Sequence, residues 1–163
     1  MANTNPAPSV PAATVGDIMT RDVYAVAADT SLETAARLLA TRHISGAPVI
    51  DRKGRPVGVV SLADLADPDR PRGEASGYPH YYRVIGGERT ETGTAFDVGP
   101  GCVAEVMSPF VLSVSAGSSV VQAARVMLDD GVHRLLVVDG GSLAGIVTQT
   151  DVLRYFVSLS ETA

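Results

Sequence analysis

A single cysteine in 163 residues, Cys102, excludes an intrachain disulfide and any cysteine metal cluster within the chain, leaving a buried structural thiol as its expected role. Positive charge is also scarce: 13 Lys and Arg stand against 18 Asp and Glu, a net charge of −5. Gripping nucleic acid through its phosphates takes a basic patch, so nucleic acid is not an expected partner, and any bound anion must be met by a local cluster. No apolar run approaches the roughly 18 to 20 residues that span a bilayer, and no basic region followed by an apolar core opens the chain. A cytoplasmic location without membrane contact is expected. The three histidines, His43, His80 and His133, fall at no i, i+4 metal spacing. A phosphate loop, a dinucleotide glycine fingerprint, a zinc-protease helix and a nucleophilic triad are all missing, which argues against an enzyme, a metal or a resident cofactor.

What is present is ordinary globular composition, 45% hydrophobic and 19% charged, long enough for one domain with a core. Residues Met1 to Thr14 are small and polar with three prolines and no apolar period, and are expected to be a disordered tail. From Val15 the pattern predicts a helical turn ending near Thr20, a strand around Val23 to Val26, and a helix running to about Arg42. Thr30 and Glu33 stand at capping-box spacing before its apolar stripe of Leu32, Ala35, Ala36, Leu39 and Ala40. Strands at Ala47 to Ile50 and Pro56 to Val60 flank a polar turn, and a short helix from Leu62 stops before Pro68.

The same arrangement then recurs. Val15, Met19, Val26, Ala35, Ala36, Arg37, Val49 and Asp51 return 88 positions later as Val103, Met107, Val114, Ala123, Ala124, Arg125, Val137 and Asp139. Beyond the Gly140-Gly141 turn the shift is 87, mapping Gly58, Val60, Ser61 and Asp64 onto Gly145, Val147, Thr148 and Asp151. Val132 to Asp139 and Leu143 to Thr148 read as two buried strands, the second handing over to a helix at Thr148. Ser119 and Gln122 stand at capping-box spacing before the second stripe. Two such units, neither able to hide much surface alone, are expected to bury a joint core. Thr148 with Asp151, and Ser61 with Asp64, have two readings. Either pair is a capping box at a helix start, or the same groups with the orphan N–H donors there hold a sugar hydroxyl and a phosphate.

Each repeat resembles a CBS motif, and the pair is similar to a CBS (Bateman) module of the kind found in IMP dehydrogenase and in the gamma subunit of AMP-activated protein kinase. The likeness is carried by Gly16-Asp17-Ile18-Met19-Thr20, Ala47-Pro48-Val49-Ile50-Asp51, Gly58-Val59-Val60-Ser61-Leu62-Ala63-Asp64 and their second-repeat equivalents. It implies an α+β fold of two β-α-β-β-α repeats with pseudo-two-fold symmetry, over 15–66 and 103–157. A linker at 67–102 and a C-terminal tail at 158–163 complete the chain.

The resemblance also implies a non-catalytic sensor that binds AMP, ADP or ATP in two clefts between the motifs. Asp151 with Thr148, and Asp64 with Ser61, would accept ribose hydroxyls. Thr20, Ile44 and Ser45 would serve the Asp151 cleft, and Ser108, Val132 and His133 the Asp64 cleft. His133-Arg134 matches a His-Arg pair that faces phosphates, although a surface salt bridge is an equal reading of Arg134. On this inventory the Asp151 cleft has the fuller set. Two rival readings are a structural oligomerisation module with empty clefts and a nucleotide-hydrolysing enzyme. S-Adenosylmethionine and cyclic dinucleotides remain alternatives for the ligand.

Two features stand outside the repeat. Tyr78 to Ile85, Gly86-Gly87 and Glu88 to Thr94 predict an inserted β-hairpin carrying three of the five tyrosines. Its rings either pack on the module or, beside His80 and Arg83, stack on a base. Val152, Leu153, Tyr155, Phe156 and Leu159 make the last helix more apolar than a domain's end requires, which points to a homodimer.

Overall fold

The structure, a computed structural model, describes residues 13–67, 81–85, 88–93 and 101–162, the strands within 81–93 by their backbone. The first repeat runs α1 (Val15–Ile18), β1 (Val26–Ala27), α2 (Leu32–Thr41), β2 (Gly46–Ile50), β3 (Pro56–Ser61) and α3 (Leu62–Ala66). The inserted β4 (Tyr81–Ile85) and β5 (Glu88–Gly93) follow. The second repeat then runs α4 (Val103–Val106), β6 (Phe110–Val114), α5 (Val120–Asp129), β7 (Arg134–Asp139), β8 (Ser142–Thr148) and α6 (Gln149–Thr162). The expected α+β repeat is thus present, each unit prefaced by a short helix.

Those prefatory helices decide how the repeats are joined. A four-residue helix cannot bury its valine and methionine by itself, and neither α1 nor α4 packs with the strands that follow it. Val15 and Met19 lie in the second repeat's core, among Val114, Val120, Ala123, Met127, Leu135, Val137 and Val147. Val103, Val106 and Met107 lie in the first repeat's core, among Val26, Ala35, Leu39, Val49 and Val60. Matched backbone hydrogen bonds secure the exchange. Val15 N donates to Ser118 O and Gly16 N to Ala116 O, both at 2.8 Å, while Val103 N donates to Thr30 O at 2.9 Å and Ala104 N to Ala28 O at 3.0 Å.

Each exchanged segment ends on a strand of the other repeat. Thr20 and Ile146 trade hydrogen bonds at 2.9 Å in both directions, and Ser108 and Val59 do so at 2.8 and 3.0 Å. Close approach there needs a glycine on the receiving strand. A Cβ at Gly145 would stand 2.8 Å from Thr20 O and 2.9 Å from Met19 Sδ, and one at Gly58 would stand 2.6 Å from Ser108 O and 2.7 Å from Met107 Sδ.

In the first repeat's sheet, β1 pairs in parallel with β2, which pairs antiparallel with β3. The second repeat builds the same three as β6, β7 and β8. Here the inserted hairpin adds two strands, because β4 runs parallel to β6, giving the order β5-β4-β6-β7-β8. The two hairpin turns differ in chemistry, which explains the change of shift from 88 to 87. Gly140 and Gly141, at φ 56° and 83°, close β7 onto β8 in two residues. That double positive φ is what a tight hairpin of native twist demands. The longer first-repeat turn is organised by Asp51, whose carboxylate accepts from Lys53 N at 2.8 Å, Arg55 N at 2.9 Å and Arg55 Nε at 2.7 Å.

Several boundaries differ from expectation. Ala13 and Thr14 do not belong to a tail: Ala13 O accepts from Val120 N, and Thr14 N and Oγ1 each donate to Asp17 Oδ2 at 2.8 Å, capping α1. The remaining tail residues 1–12, like 68–80, the Gly86-Gly87 turn and 94–100, lie outside the described residues. Helix α2 is capped by Ser31, not Thr30, because Thr30 spends its carbonyl on Val103 N, while Ser31 Oγ accepts from Thr34 N at 3.3 Å. The first strand is shorter than Val23 to Val26 and starts at Val26. At the other end, the tail expected at 158–163 is helical through Thr162.

The glycine contacts and the Asp51 turn can each be tested by substitution. Gly58→Ala and Gly145→Ala should each destabilise by at least about 1–3 kcal/mol through overpacking against a backbone carbonyl, whereas Gly117→Ala, whose Cβ would meet only Ser115 Oγ at 3.9 Å, should cost almost nothing. Chemical denaturation of the three variants tests this. For Asp51, burial raises the carboxyl pKa, but hydrogen bonds from the Arg55 backbone and side chain and the Lys53 backbone, with the Arg55 charge, outweigh burial and hold it below its ordinary value. A depressed carboxylate contributes stability above its unfolded pKa of about 3.9 and loses it as pH falls through the folded value. Asp51→Asn should therefore cost about 1–3 kcal/mol at pH 7 and converge with wild type only as pH falls through that lowered value, read from melting curves across pH.

Candidate functional site

Each repeat ends a strand on a hydroxyl residue that opens a helix. At β3–α3, Ser61 N and Oγ donate to Asp64 Oδ2 at 2.8 and 2.6 Å, and Asp64 N donates to Ser61 Oγ at 3.3 Å. At β8–α6, Thr148 and Asp151 repeat this at 2.8, 2.6 and 3.3 Å. The capping-box reading is therefore realised twice. It does not displace the other reading, since a carboxylate has about four acceptor sites and the box's donors converge on one oxygen.

Beyond the box the two helix starts diverge. Residue 149 is glutamine where the first repeat has Leu62. Gln149 Nε2 donates to Val132 O at 3.3 Å, which orients the amide, and its Oε1 lies 3.1 Å from His133 Nδ1. Since that oxygen only accepts, Nδ1 carries the proton and Nε2 is the ring's acceptor when the imidazole is neutral. Asp151 Oδ1 in turn has Arg154 at 3.9 Å. The Asp151 helix start is thus flanked by Gln149, which is tied to Val132 and His133, and by a basic side chain. On the other side Leu62, with its side chain partly in solvent, makes no such polar connection, although the backbone bond is kept: Leu62 N donates to Ser45 O as Gln149 N does to His133 O.

A cavity of about 560 Å³ opens between the repeats on the Asp64 side. Its volume lies within the range of roughly 300–1,000 Å³ common for small-molecule sites. Ala47, Pro48, Val59, Val60, Leu136 and Ile146 give it apolar walls, and Ser45, Ser61, Asp64, Ser108, His133 and Arg134 supply its polar groups. All five residues assigned from sequence to the Asp64 cleft, Ser61, Asp64, Ser108, Val132 and His133, line this one cavity. Ser45, assigned to the other cleft, lines it too, as does Arg134. Thr20, Ile44, Thr148 and Asp151 do not: Thr20 is held against Ile146 by its backbone, and Ile44 packs on the first core.

Arg134 is exposed at the start of β7, and among the described residues it has no ion-pair partner; the ion pairs there are Arg52–Asp29, Arg55–Asp51 and Arg154–Asp151. The salt-bridge alternative for Arg134 finds no support among them. No group of three or more His, Cys, Asp or Glu among the described residues is placed to hold a metal ion. Among the residues that sequence reasoning did not assign to a site are Gln149, beside the Asp151 helix start, and the cavity's apolar walls, including Phe110 and Leu112 from β6. The only sequence signal for Gln149 is that it breaks the 87-residue correspondence at a helix start. No described helix is long and apolar enough to cross a membrane.

Comparison with known proteins gives a consistent picture. A family model described as CBS domain matches residues 15–68 and 103–158. The chloroplastic CBS domain-containing protein CBSX2 of Arabidopsis thaliana is 33% identical over 168 residues, covering 94% of this chain and 69% of that protein. A protein of Methanocaldococcus jannaschii is 29% identical over 147 residues; the match takes in 90% of this chain but spans only 40% of that relative's length. Among solved structures, the crystal structure of CBSX2 in complex with AMP superposes with a TM-score of 0.64 at 30% identity, covering 91% of this chain and 98% of that one.

Proposed function

The chain belongs to the CBS-domain family as a tandem pair of motifs, and from this premise we propose that it is a sensor binding an adenosine-containing ligand, AMP, ADP or ATP, in the cavity beside Asp64. In this reading the CBS pair is a regulatory module and not an enzyme. The observation that carries the reading is the cavity itself. It places one capped carboxylate and one guanidinium without an ion-pair partner among the described residues on a shared apolar space between the repeats. A nucleoside monophosphate needs an acceptor for its ribose hydroxyls, apolar surface for its base and a cation for its phosphate. Asp64, the Val59 and Ile146 walls, and Arg134 with His133 match those needs in turn. The AMP-bound structure of the similar CBSX2 supports this choice of ligand class.

The Asp151 helix start, with Thr148, Thr20 and Ile44, is proposed as the weaker of two sites, since none of these residues lines the cavity. The sequence inventory favoured that cleft; the cavity supports placing the Asp64 site first in this reading. Binding can shift only a state it prefers, so the readout is a partner or an assembly state, in the cytoplasm, that distinguishes filled from unfilled clefts.

A homodimer is part of the proposal and carries the oligomerisation reading with it. Leu128 on α5 and Leu153 and Val157 on α6 are 76%, 64% and 56% exposed. The first repeat has Ala40 and Ala66 where Leu128 and Leu153 stand, so this apolar face is one-sided. An isologous contact through the second repeat would cover it.

Titration calorimetry should show Asp64→Ala weakening AMP about 10- to 150-fold, the equivalent of about 1.5–3 kcal/mol, with Asp151→Ala costing clearly less. Arg134→Ala should weaken AMP and ATP but spare adenosine. A larger loss for Asp151→Ala would move the site to the other helix start. Light scattering at tens of micromolar should give a dimer mass that Leu128→Glu or Leu153→Glu reduces to a monomer and Ala40→Glu does not; a wild-type monomer would remove the dimer.

A further inference from the structure

Residue 149 is fastened to the Val132–His133 segment at three points. Gln149 N donates to His133 O at 3.0 Å, its Nε2 donates to Val132 O at 3.3 Å, and its Oε1 lies 3.1 Å from His133 Nδ1. An amide turned the other way would set its oxygen against the Val132 carbonyl, two acceptors with no proton between them, so the Val132 bond fixes which atom meets the ring. The first repeat has no such arrangement, since Leu62 and Ser45 stand at the corresponding positions.

His133 lines the cavity and Gln149 does not. The bond to Gln149 therefore occupies Nδ1 and leaves Nε2 as the ring nitrogen available to a ligand. In the neutral ring Nε2 carries a lone pair and no proton, which repels a phosphate oxygen; an added proton turns it into a cationic donor. With the cavity taken as the adenosine-ligand site, a reading on which this inference rests, we propose that Gln149 is a positioning residue that couples phosphate binding to proton uptake. The arriving phosphate draws a proton from solvent onto Nε2 of the exposed His133 ring. Charged side chains on the surrounding elements are Asp64 on α3, Arg134 on β7, Asp151 and Arg154 on α6, and Asp129 and Asp130 where α5 ends. In the first repeat Arg42 and His43 precede Ser45, and Arg42 lies over the Tyr24 ring, 4.0 Å from its centroid. The carboxylates favour the imidazolium and the cations oppose it, but all are present before the ligand arrives. The phosphate dianion is what binding adds, and it favours the charged ring. AMP affinity then falls as pH rises through the titration of the ring.

The test uses the full chain, with AMP and adenosine as probes. Calorimetry at pH 7.5 in buffers of different ionisation enthalpy counts the protons exchanged on binding, where a phosphomonoester with a second pKa of about 6 is already dianionic. Wild type should take up about 0.1–0.5 proton per AMP bound, and none with adenosine. His133→Asn should abolish the uptake, and Gln149→Leu, which frees the neutral ring to carry its single proton on Nε2, should at least halve it. Wild type that binds AMP without uptake, or an uptake that His133→Asn or Gln149→Leu keeps in full, would overturn the coupling and leave the adenosine-ligand reading standing. Wild type that binds no AMP would overturn both. If Gln149→Leu fails to fold, nitrogen NMR of the wild-type imidazole decides: a neutral ring protonated on Nδ1 supports the role of Gln149, and one protonated on Nε2 overturns it.

Discussion

Two close backbone approaches, Gly145 against Thr20 and Gly58 against Ser108, hold the repeats together, and most other features depend on them. Each joins the end of one repeat's prefatory helix to the outer strand of the other repeat's sheet, β8 or β3, and each leaves a methionine sulfur where a side chain would otherwise stand. Because α1 and α4 complete the opposite core, neither repeat can bury its apolar residues alone. The exchange brings α4 and Ser108 beside β3 and thereby sets one wall of the cavity. Stability and site geometry thus share a cause: a loosened Gly58–Ser108 contact would open the first core and displace a cavity residue in the same motion.

The pseudo-symmetry is kept in the backbone and broken in the side chains. The hydrogen bonds donated by Val15 and Val103, by Gly16 and Ala104, and by Leu62 and Gln149 agree pair by pair to within a few tenths of an ångström. Around that frame the two helix starts acquire different surroundings: glutamine and arginine beside Asp151, leucine beside Asp64. Repeated sequence therefore supplies two equivalent anchors, and individual substitutions give them unequal neighbours. The same holds for the outer surface, where leucines on α5 and α6 replace alanines of the first repeat.

Much of this was legible in the residues. The 88-residue repeat, the helix stripes, both Ser/Thr-x-x-Asp boxes and the Gly140-Gly141 turn rest on local rules, and the structure contains them all. Ser31 was legible too, since it lies 88 positions before Ser119, whose Oγ caps α5. Thr30 with Glu33 matched the local pattern as well, and the choice between them turned on Thr30's carbonyl bond to Val103, a contact across 73 residues. Thr14 was hidden for the same reason: its segment reads as polar and featureless, and its order comes from pairing with Ser119.

The sequence by itself determined that two like units exist, which elements each contains, and which hydroxyl–carboxylate pairs start their last helices, because propensity, periodicity and capping act over a few residues. Only the tertiary structure decided that the prefatory helices change places, that the inserted hairpin joins the second sheet through β6, and that the cavity lies beside Asp64 with Arg134 on its wall. These outcomes depend on which distant backbones approach closely enough to exchange hydrogen bonds and which side chains fill the space between them. Such competition is settled by packing among residues far apart in the chain, and local patterns carry no record of it.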